Sequence, residues 1–375
     1  MKVRIANVVL NNFINDNRVL KISESLAADG FDVHVVGLHK GKVAEHEVIR
    51  DLKVHRIRLK TMSWPENTIG RLVKFVEFAF SVIQSYRKFD VWHCNDTEAF
   101  AIGIAAKITR PKLKLVYDCH EFEAERNGKP RWMLRLVYAF EWLFIRWASD
   151  VITVSPSIAK AYQSRYGLKT VHLIRNAPHR KADVAQSDRF RANFGIPADQ
   201  RIFLYQGAFV SNRGLEQTLL AFERLPDVHL VCMGYGSLET LVTAAAAKHA
   251  NIHFQAAVPY HEVLAYTASA DVGLLSVQPS CLSYLYCLPN KLFEYIQAGI
   301  PILANRLTDC EALITEYHIG TTIASFEPDL LEQAIQEMSS SDLAPYQQGL
   351  QRAANDFNWE AEERTLFDLY RKFKK

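Results

Sequence analysis

The sequence predicts an α/β protein of two Rossmann-like domains, each built on a parallel sheet and facing the other across a central cleft. Three observations carry this expectation. The chain has 375 residues, more than a single hydrophobic core ordinarily serves. Short apolar runs alternate with amphipathic segments, the mark of repeated βαβ units. That alternation lapses once, in the stretch before residue 201, and then restarts.

In the first half, strands are predicted at 3–10, 33–37, 54–59, 91–94, 113–117, 151–154 and 171–174. Helices at 17–29, 70–87, 97–108, 131–148 and 157–165 fit between them. The stretch 176–200 contains Pro178, Pro197 and a polar middle without periodicity, so the crossing between domains is expected there, its linker at 179–200. Strands then follow at 202–205, 228–233, 252–254, 272–275 and 301–304, with helices at 214–224, 238–249, 260–268, 290–298 and 309–316. The last segment, 359–373, is amphipathic, with Trp359, Leu366, Leu369 and Tyr370 on its apolar side, and is expected to pack back on the first domain. The predicted domains are therefore 1–178 together with 358–375, and 201–357.

Composition narrows the function classes. Hydrophobic residues at 49% and charged residues at 23% are ordinary globular values. No run of eighteen apolar residues occurs and the apolar start is too short for a secretion signal, so a cytoplasmic protein is expected. Cys94, Cys119, Cys232, Cys281, Cys287 and Cys310 are scattered without CxxC spacing, which speaks against a disulfide framework and against a metal site. The net charge of +3 hides an asymmetry: residues 1–175 carry 28 Lys and Arg against 18 Asp and Glu, whereas 176–375 carry 16 against 23. A basic first half suits anionic lipid or phosphate. Its basic residues come with buried-type aromatics and no recognised nucleic-acid module, so no nucleic-acid partner is expected. A nicotinamide dehydrogenase is disfavoured too, because no G-x-G-x-x-G follows the first strand.

Ligands of open α/β sheets bind beyond the carboxyl ends of the strands, and the strongest chemical signal lies at such a place. The run 288–303 reads Leu-Pro-Asn-Lys-Leu-Phe-Glu-Tyr-Ile-Gln-Ala-Gly-Ile-Pro-Ile-Leu. Pro289 opens a helix, Gly299 ends it and Pro301 starts the next strand. A helix N-terminus at a strand end suits a diphosphate. Lys291 in its first turn opposes the helix dipole unless an anion is bound, Asn290 stands beside it, and Glu294 suits a ribose diol.

Together with Asp16-Asn17-Arg18-Val19, Gly30-Phe31-Asp32-Val33, Tyr117-Asp118-Cys119-His120-Glu121, 150–155, Asn176-Ala177-Pro178, the stretch 207–214 and Ala270-Asp271-Val272-Gly273-Leu274, this block makes the chain resemble the family-4 glycosyltransferases of GT-B fold, also called glycosyltransferase group 1. The resemblance runs over nearly the whole chain. It implies a retaining transferase that needs no metal or cofactor and takes a nucleoside-diphosphate sugar as substrate. Arg213 and Lys291 match the basic pair that holds the donor diphosphate, Glu294 matches the ribose-binding carboxylate, and His120 matches a histidine touching the transferred sugar. In such a front-face reaction the departing phosphate takes the acceptor proton while the fixed cations stabilise the charge that develops on it.

Two departures stand out. Tyr286 occupies the place of the family's first glutamate, eight positions before Glu294, and Ala208 follows Gly207 where the family has an arginine. Tyr284, Tyr286 and Asn290 are the candidates to replace the lost hydrogen bonds. Gly207 and the turn Gly234-Tyr235-Gly236-Ser237 are expected to bring backbone close to the donor. Asp118, Glu121 and Asp16 are candidates for the acceptor side, although Asp16 equally suits the N-cap of the first helix.

The partners expected are thus a nucleotide sugar and a glycan or lipid-linked acceptor, as in bacterial surface-polysaccharide assembly. On the helix at 131–148, Arg131, Arg135, Tyr138, Trp142 and Arg146 share one stripe, which suits an anionic headgroup layer at the inner face of the cell membrane. Helix 70–88, with Arg71, Lys74, Arg87 and Lys88, is a second candidate for that surface; ordinary packing with basic residues facing water is the alternative for both. Two rival functions remain open from sequence: a sugar-nucleotide epimerase of the same fold, and a catalytically silent scaffold in a glycan-assembly complex.

Overall fold

The computed structural model describes residues 2–14, 16–180 and 188–374. By contacts the chain divides into two units, 1–175 with 362–375, and 176–361.

The first unit holds an eight-stranded sheet of β1 (Arg4–Val8), β2 (Asp32–Leu38), β3 (His46–Ile49), β4 (Leu52–Ile57), β5 (Val91–Asn95), β6 (Lys114–Cys119), β7 (Asp150–Thr153) and β8 (His172–Leu173) in the order β3-β4-β2-β1-β5-β6-β7-β8. Every pairing is parallel except β3 with β4, a hairpin at the edge. The crossovers are helices α1 (Asn17–Ala28), α2 (Thr68–Ser85), α3 (Asp96–Thr109), α4 (Arg131–Phe144) and α5 (Pro156–Tyr166). Most start and stop by local chemistry. The Asp16 side chain caps α1 at the Val19 amide, Asn67 caps α2, Ser155 caps α5 with Pro156 at its first position, and Gly167 ends α5 at φ +65°.

The second unit begins with α6 (Arg189–Phe194) and carries a fully parallel six-stranded sheet, β9 (Ile202–Ala208), β10 (His229–Tyr235), β11 (Ile252–Ala256), β12 (Val272–Leu275), β13 (Ile302–Asn305) and β14 (Gly320–Ile323), in the order β11-β10-β9-β12-β13-β14. Its helices are α7 (Leu215–Phe222), α8 (Glu239–Lys248), α9 (Tyr260–Thr267), α10 (Leu282–Leu285), α11 (Asn290–Ala298), α12 (Thr308–Tyr317), α13 (Pro328–Ser340) and α14 (Gln347–Asp356). Alternate residues of each strand enter different cores. Ile202, Leu204, Val231, Met233 and Ile302 pack in one cluster, while Phe203, Tyr205, Leu230, Cys232 and Leu303 pack in another. A parallel strand is buried on both faces, which is why these strands read as unbroken apolar runs.

The last helix, α15 (Trp359–Arg371), begins in the second unit and continues into the first, where Tyr370 is fully buried and meets Phe31 edge-on at 5.8 Å. Ser25 donates to Glu363 and Arg175 pairs with Glu362, both at 2.8 Å. The expected packing of this helix on the first domain is therefore present.

Residues 188–200 are not linker: Phe190 is fully buried in the second core and Arg191 pairs with Asp271 at 2.9 Å. A six-residue helix is too short for its apolar spacing to stand out. The rest of the expected linker, 181–187, lies outside the described residues. Strand β3 was not anticipated, because an exposed edge strand carries little apolar pattern. Beyond 317 the structure adds β14, α13 and α14, of which α13 buries Leu331, Ala334, Ile335 and Met338 at regular helical spacing.

Candidate active site

In the second unit the ends of β9 and β12 and the start of α11 form one constellation. The loop after β9 is pinned where it carries Arg213: Ser276 Oγ donates to the Arg213 carbonyl at 2.6 Å, and the Tyr205 hydroxyl reaches the same oxygen at 3.5 Å. Gly214 follows at φ +71°, and a Cβ there would stand 2.3 Å from the Ser276 carbonyl oxygen, so no other residue lets the loop approach β12 this closely. The Arg213 guanidinium lies 4.7 Å from the Tyr284 ring centre and the Lys291 ammonium 4.5 Å from that of Tyr205.

Among the described residues no carboxylate stands within ion-pair distance of Arg213 or Lys291, although Glu294 acts on Lys291 from further away, and Arg213 Nε is buried without a hydrogen-bond partner. Desolvation by burial pushes the Lys291 ammonium down to about 7, the neighbouring Arg213 pushes it further, and Glu294 opposes both. Lys291 sits in the first turn of α11, whose N-cap is Pro289 with no side-chain cap and whose first turn holds no acid. The first-turn amides, the helix dipole, Arg213 and Lys291 therefore converge at the start of α11, an arrangement that suits an anion. Glu294, one turn on, is oriented by Gln206, whose side-chain amide donates to it and accepts from Thr267 Oγ1 at 2.7 Å. Asn290 is exposed at the first position of α11.

Gly207 has φ +116° with open space where a side chain would stand, as expected of a backbone exposed to a ligand. Gly234 has a different reason to be glycine. It is buried inside β10, and a Cβ there would meet the Gly207 carbonyl oxygen at 1.9 Å, so it serves strand packing. Tyr284 joins the constellation through Arg213, and Tyr286 is the C-cap of α10.

In the first unit, His120 follows β6 within a buried polar network. Its Nδ1 lies 3.5 Å from Asp96 and its Nε2 3.2 Å from the Asn95 amide oxygen and 3.5 Å from Asp118. Desolvation lowers its pKa, but Asp96 and Asp118 outweigh that and raise it to about 9. Asp118 is fully buried and gripped by Arg18 through two hydrogen bonds, at 2.6 and 2.9 Å. Burial raises the Asp118 pKa, yet the Arg18 charge and both neighbouring histidines hold it well below the usual carboxylate range. His93 connects Asp118, at 3.2 Å, to the Tyr370 hydroxyl of α15, at 2.6 Å.

Asp96 is the residue that sequence reasoning missed. It adopts φ +60° at the start of α3, a left-handed conformation that aspartate tolerates, and its carboxylate lies 3.5 Å from His120 Nδ1. Two sequence candidates are engaged elsewhere. Glu121 pairs with Arg126 at 3.1 Å, and Asp16 spends one carboxylate oxygen on the α1 cap and the other on the Asn11 side chain. Asp16 is thus a helix cap first.

Helix α4 buries a single side chain, Glu141, which accepts hydrogen bonds from the hydroxyls of Tyr117, Tyr162 and Tyr166 at 2.6–2.8 Å. Arg131, Arg135 and Arg146 are exposed, and Trp132, Leu136, Trp142 and Leu143 are each more than half exposed. Arg146 also donates to the Tyr166 carbonyl at 3.2 Å, so its role is partly structural. In α2, Ile69, Leu72, Val76 and Phe80 form a second exposed apolar stripe, while Arg71 and Lys74 pair with Glu66. Among the described residues no helix is long and apolar enough to cross a membrane.

Comparison with known proteins agrees with this geometry. Residues 16–177 match the family described as Glycosyltransferase Family 4 and residues 186–356 that described as Glycosyl transferases group 1. The chain belongs to this glycosyltransferase family and is a transferase enzyme. It is 23% identical over 336 residues to an uncharacterized glycosyltransferase of Methanocaldococcus jannaschii, covering 85% of this chain and 83% of that protein. Among solved structures, the sucrose-phosphate synthase of Thermosynechococcus elongatus is similar in fold, with TM-score 0.79, 20% identity and 99% of each chain covered. Anabaena HepE in complex with UDP and glucose gives 0.76, at 15% identity over 99% of this chain and all of that one. These neighbours are glycosyltransferases of the GT-B fold.

Proposed function

We propose that this enzyme transfers a sugar, with retention of anomeric configuration, from a nucleoside-diphosphate sugar held by its second domain to a hydroxyl of a lipid-linked glycan. The observation that carries the donor half is the pair Arg213 and Lys291, two basic residues with no ion-paired carboxylate among the described residues, at a helix start without a side-chain cap. HepE, a protein of similar fold, binds UDP, which supports a diphosphate donor. The chemistry needs no metal: Arg213 and Lys291, both partly buried, stabilise the charge that grows on the departing diphosphate. Glu294 holds the ribose, and protonated His120 donates a hydrogen bond to the transferred sugar. Tyr284 stands beside Arg213 in place of the family's missing contacts.

The acceptor half rests on α4. Tryptophans and arginines interleaved on an exposed helix face, in the half of the chain with a large excess of Lys and Arg, match the headgroup layer of an anionic bilayer. The enzyme then works peripherally, on the cytoplasmic leaflet that displays its acceptor. The test is to incubate the chain with radiolabelled sugar nucleotides and extracted bacterial lipids, and to follow label into the organic phase. Label carried there by one donor supports the reading; donor hydrolysis with no lipid product contradicts the acceptor assignment.

A further inference from the structure

We propose that the β3–β4 hairpin is a metal-binding site in which Glu45, His46 and His55 ligate a divalent transition-metal ion of zinc type. The histidines stand nine positions apart in sequence, a spacing with no metal-site signature, but the antiparallel register sets His46 directly opposite His55. Their rings lie 4.2 Å apart with planes inclined by 19°. One ligand atom from each of Glu45, His46 and His55 lies within 4.8 Å of the other two. Tetrahedral zinc with bonds of about 2.0–2.1 Å holds its ligand atoms about 3.3 Å apart, so modest side-chain rotations close the set.

The second layer is also present. His55 Nδ1 lies 2.9 Å from the Tyr86 hydroxyl, which fixes the ring and leaves Nε2 as the free nitrogen. Imidazole and carboxylate donors suit zinc-type ions better than calcium or magnesium, which take oxygen alone. The competitor for Glu45 is Arg58, at 3.6 Å in a largely exposed pair that is worth little. His46 is exposed, so the ion has an entry path and an open position for water. Its effect is mechanical: a three-point link across the outermost pair of strands staples an edge that is otherwise free to fray or to pair with another chain. The site draws on no residue of the donor constellation.

The experiment titrates zinc chloride into the purified full chain, freed of metal, by calorimetry, with thermal melts in zinc and in EDTA and with cobalt chloride as a spectroscopic probe. The expected result is one ion per chain, a higher melting temperature in zinc, and a visible cobalt absorption of tetrahedral type. His46→Ala, at an exposed position, should remove all three; Tyr86→Phe should weaken zinc by about tenfold while leaving the ligands in place. UDP binding should be the same with and without zinc, which separates this site from the donor reading. No binding, or stoichiometric binding that survives His46→Ala, overturns the proposal.

Discussion

Arg18 and Asp118, one hundred residues apart, are joined by two hydrogen bonds of 2.6 and 2.9 Å inside the first domain, and the Arg18 guanidinium also donates to the Ile174 carbonyl. The pair does more than hold α1 to β6. It fixes the charge of Asp118, and Asp118 with Asp96 fixes the charge of His120.

Asp118→Asn should therefore destabilise the fold strongly. It leaves a buried guanidinium without its counter-charge, a loss of about 3–5 kcal/mol when one partner of a buried pair is removed. Urea unfolding at neutral pH measures this; a change below about 1 kcal/mol would mean that Arg18 is compensated elsewhere.

The pKa of His120, raised to about 9 in the folded state, has a definite sign for stability. A raised histidine contributes fully below its unfolded value of about 6.5 and loses that contribution as pH climbs through 9. Unfolding free energy should fall between pH 6.5 and 9 in the wild type, and Asp96→Asn should flatten that limb. A profile unchanged by Asp96→Asn would remove Asp96 as the partner.

Lys291, pushed down to about 7 without ligand, should gain a proton when a diphosphate binds beside it. At pH 8, calorimetric titrations of nucleoside diphosphate in buffers of different ionisation enthalpy should show uptake of up to about one proton. Lys291→Arg should bind without uptake, since arginine stays charged.

The exposed face of α4 gives a separable expectation. Trp132→Ser with Trp142→Ser and Leu143→Ser should abolish flotation with anionic vesicles, while unfolding changes by less than about 0.5 kcal/mol at each exposed position. Flotation retained by the triple variant would detach the membrane reading from this helix.

Much of this was legible in the sequence because parallel strands buried on both faces announce themselves as apolar runs. The runs at 202–205 and 272–275 became β9 and β12, and the helix between Pro289 and Gly299 became α11 with Lys291 and Glu294 where the motif placed them. What escaped had no one-dimensional pattern. Strand β3 is an exposed edge, α6 is a single short turn pair, and Asp96 matters because the fold brings its carboxylate to His120. The link from Tyr370 through His93 to Asp118 joins residues as far as 277 apart, and only the register of β5 beside β6 and the return of α15 bring them together. The close approach of Gly234 to the Gly207 carbonyl was not legible, because a glycine that spares a carbonyl and a glycine that greets a ligand look alike in sequence.

The most direct test of the donor site is a thermal-shift screen of the chain against UDP, GDP, TDP and CMP and their sugar conjugates, repeated on Glu294→Ala and Arg213→Ala. A ligand that binds only the folded state raises its melting temperature. One nucleoside diphosphate should give a clear shift, reduced in Glu294→Ala by the loss of hydrogen bonds worth about 1.5–3 kcal/mol and reduced again in Arg213→Ala. A shift with none of these ligands, or one unchanged in both variants, would contradict the assignment of Arg213, Lys291 and Glu294 to the donor.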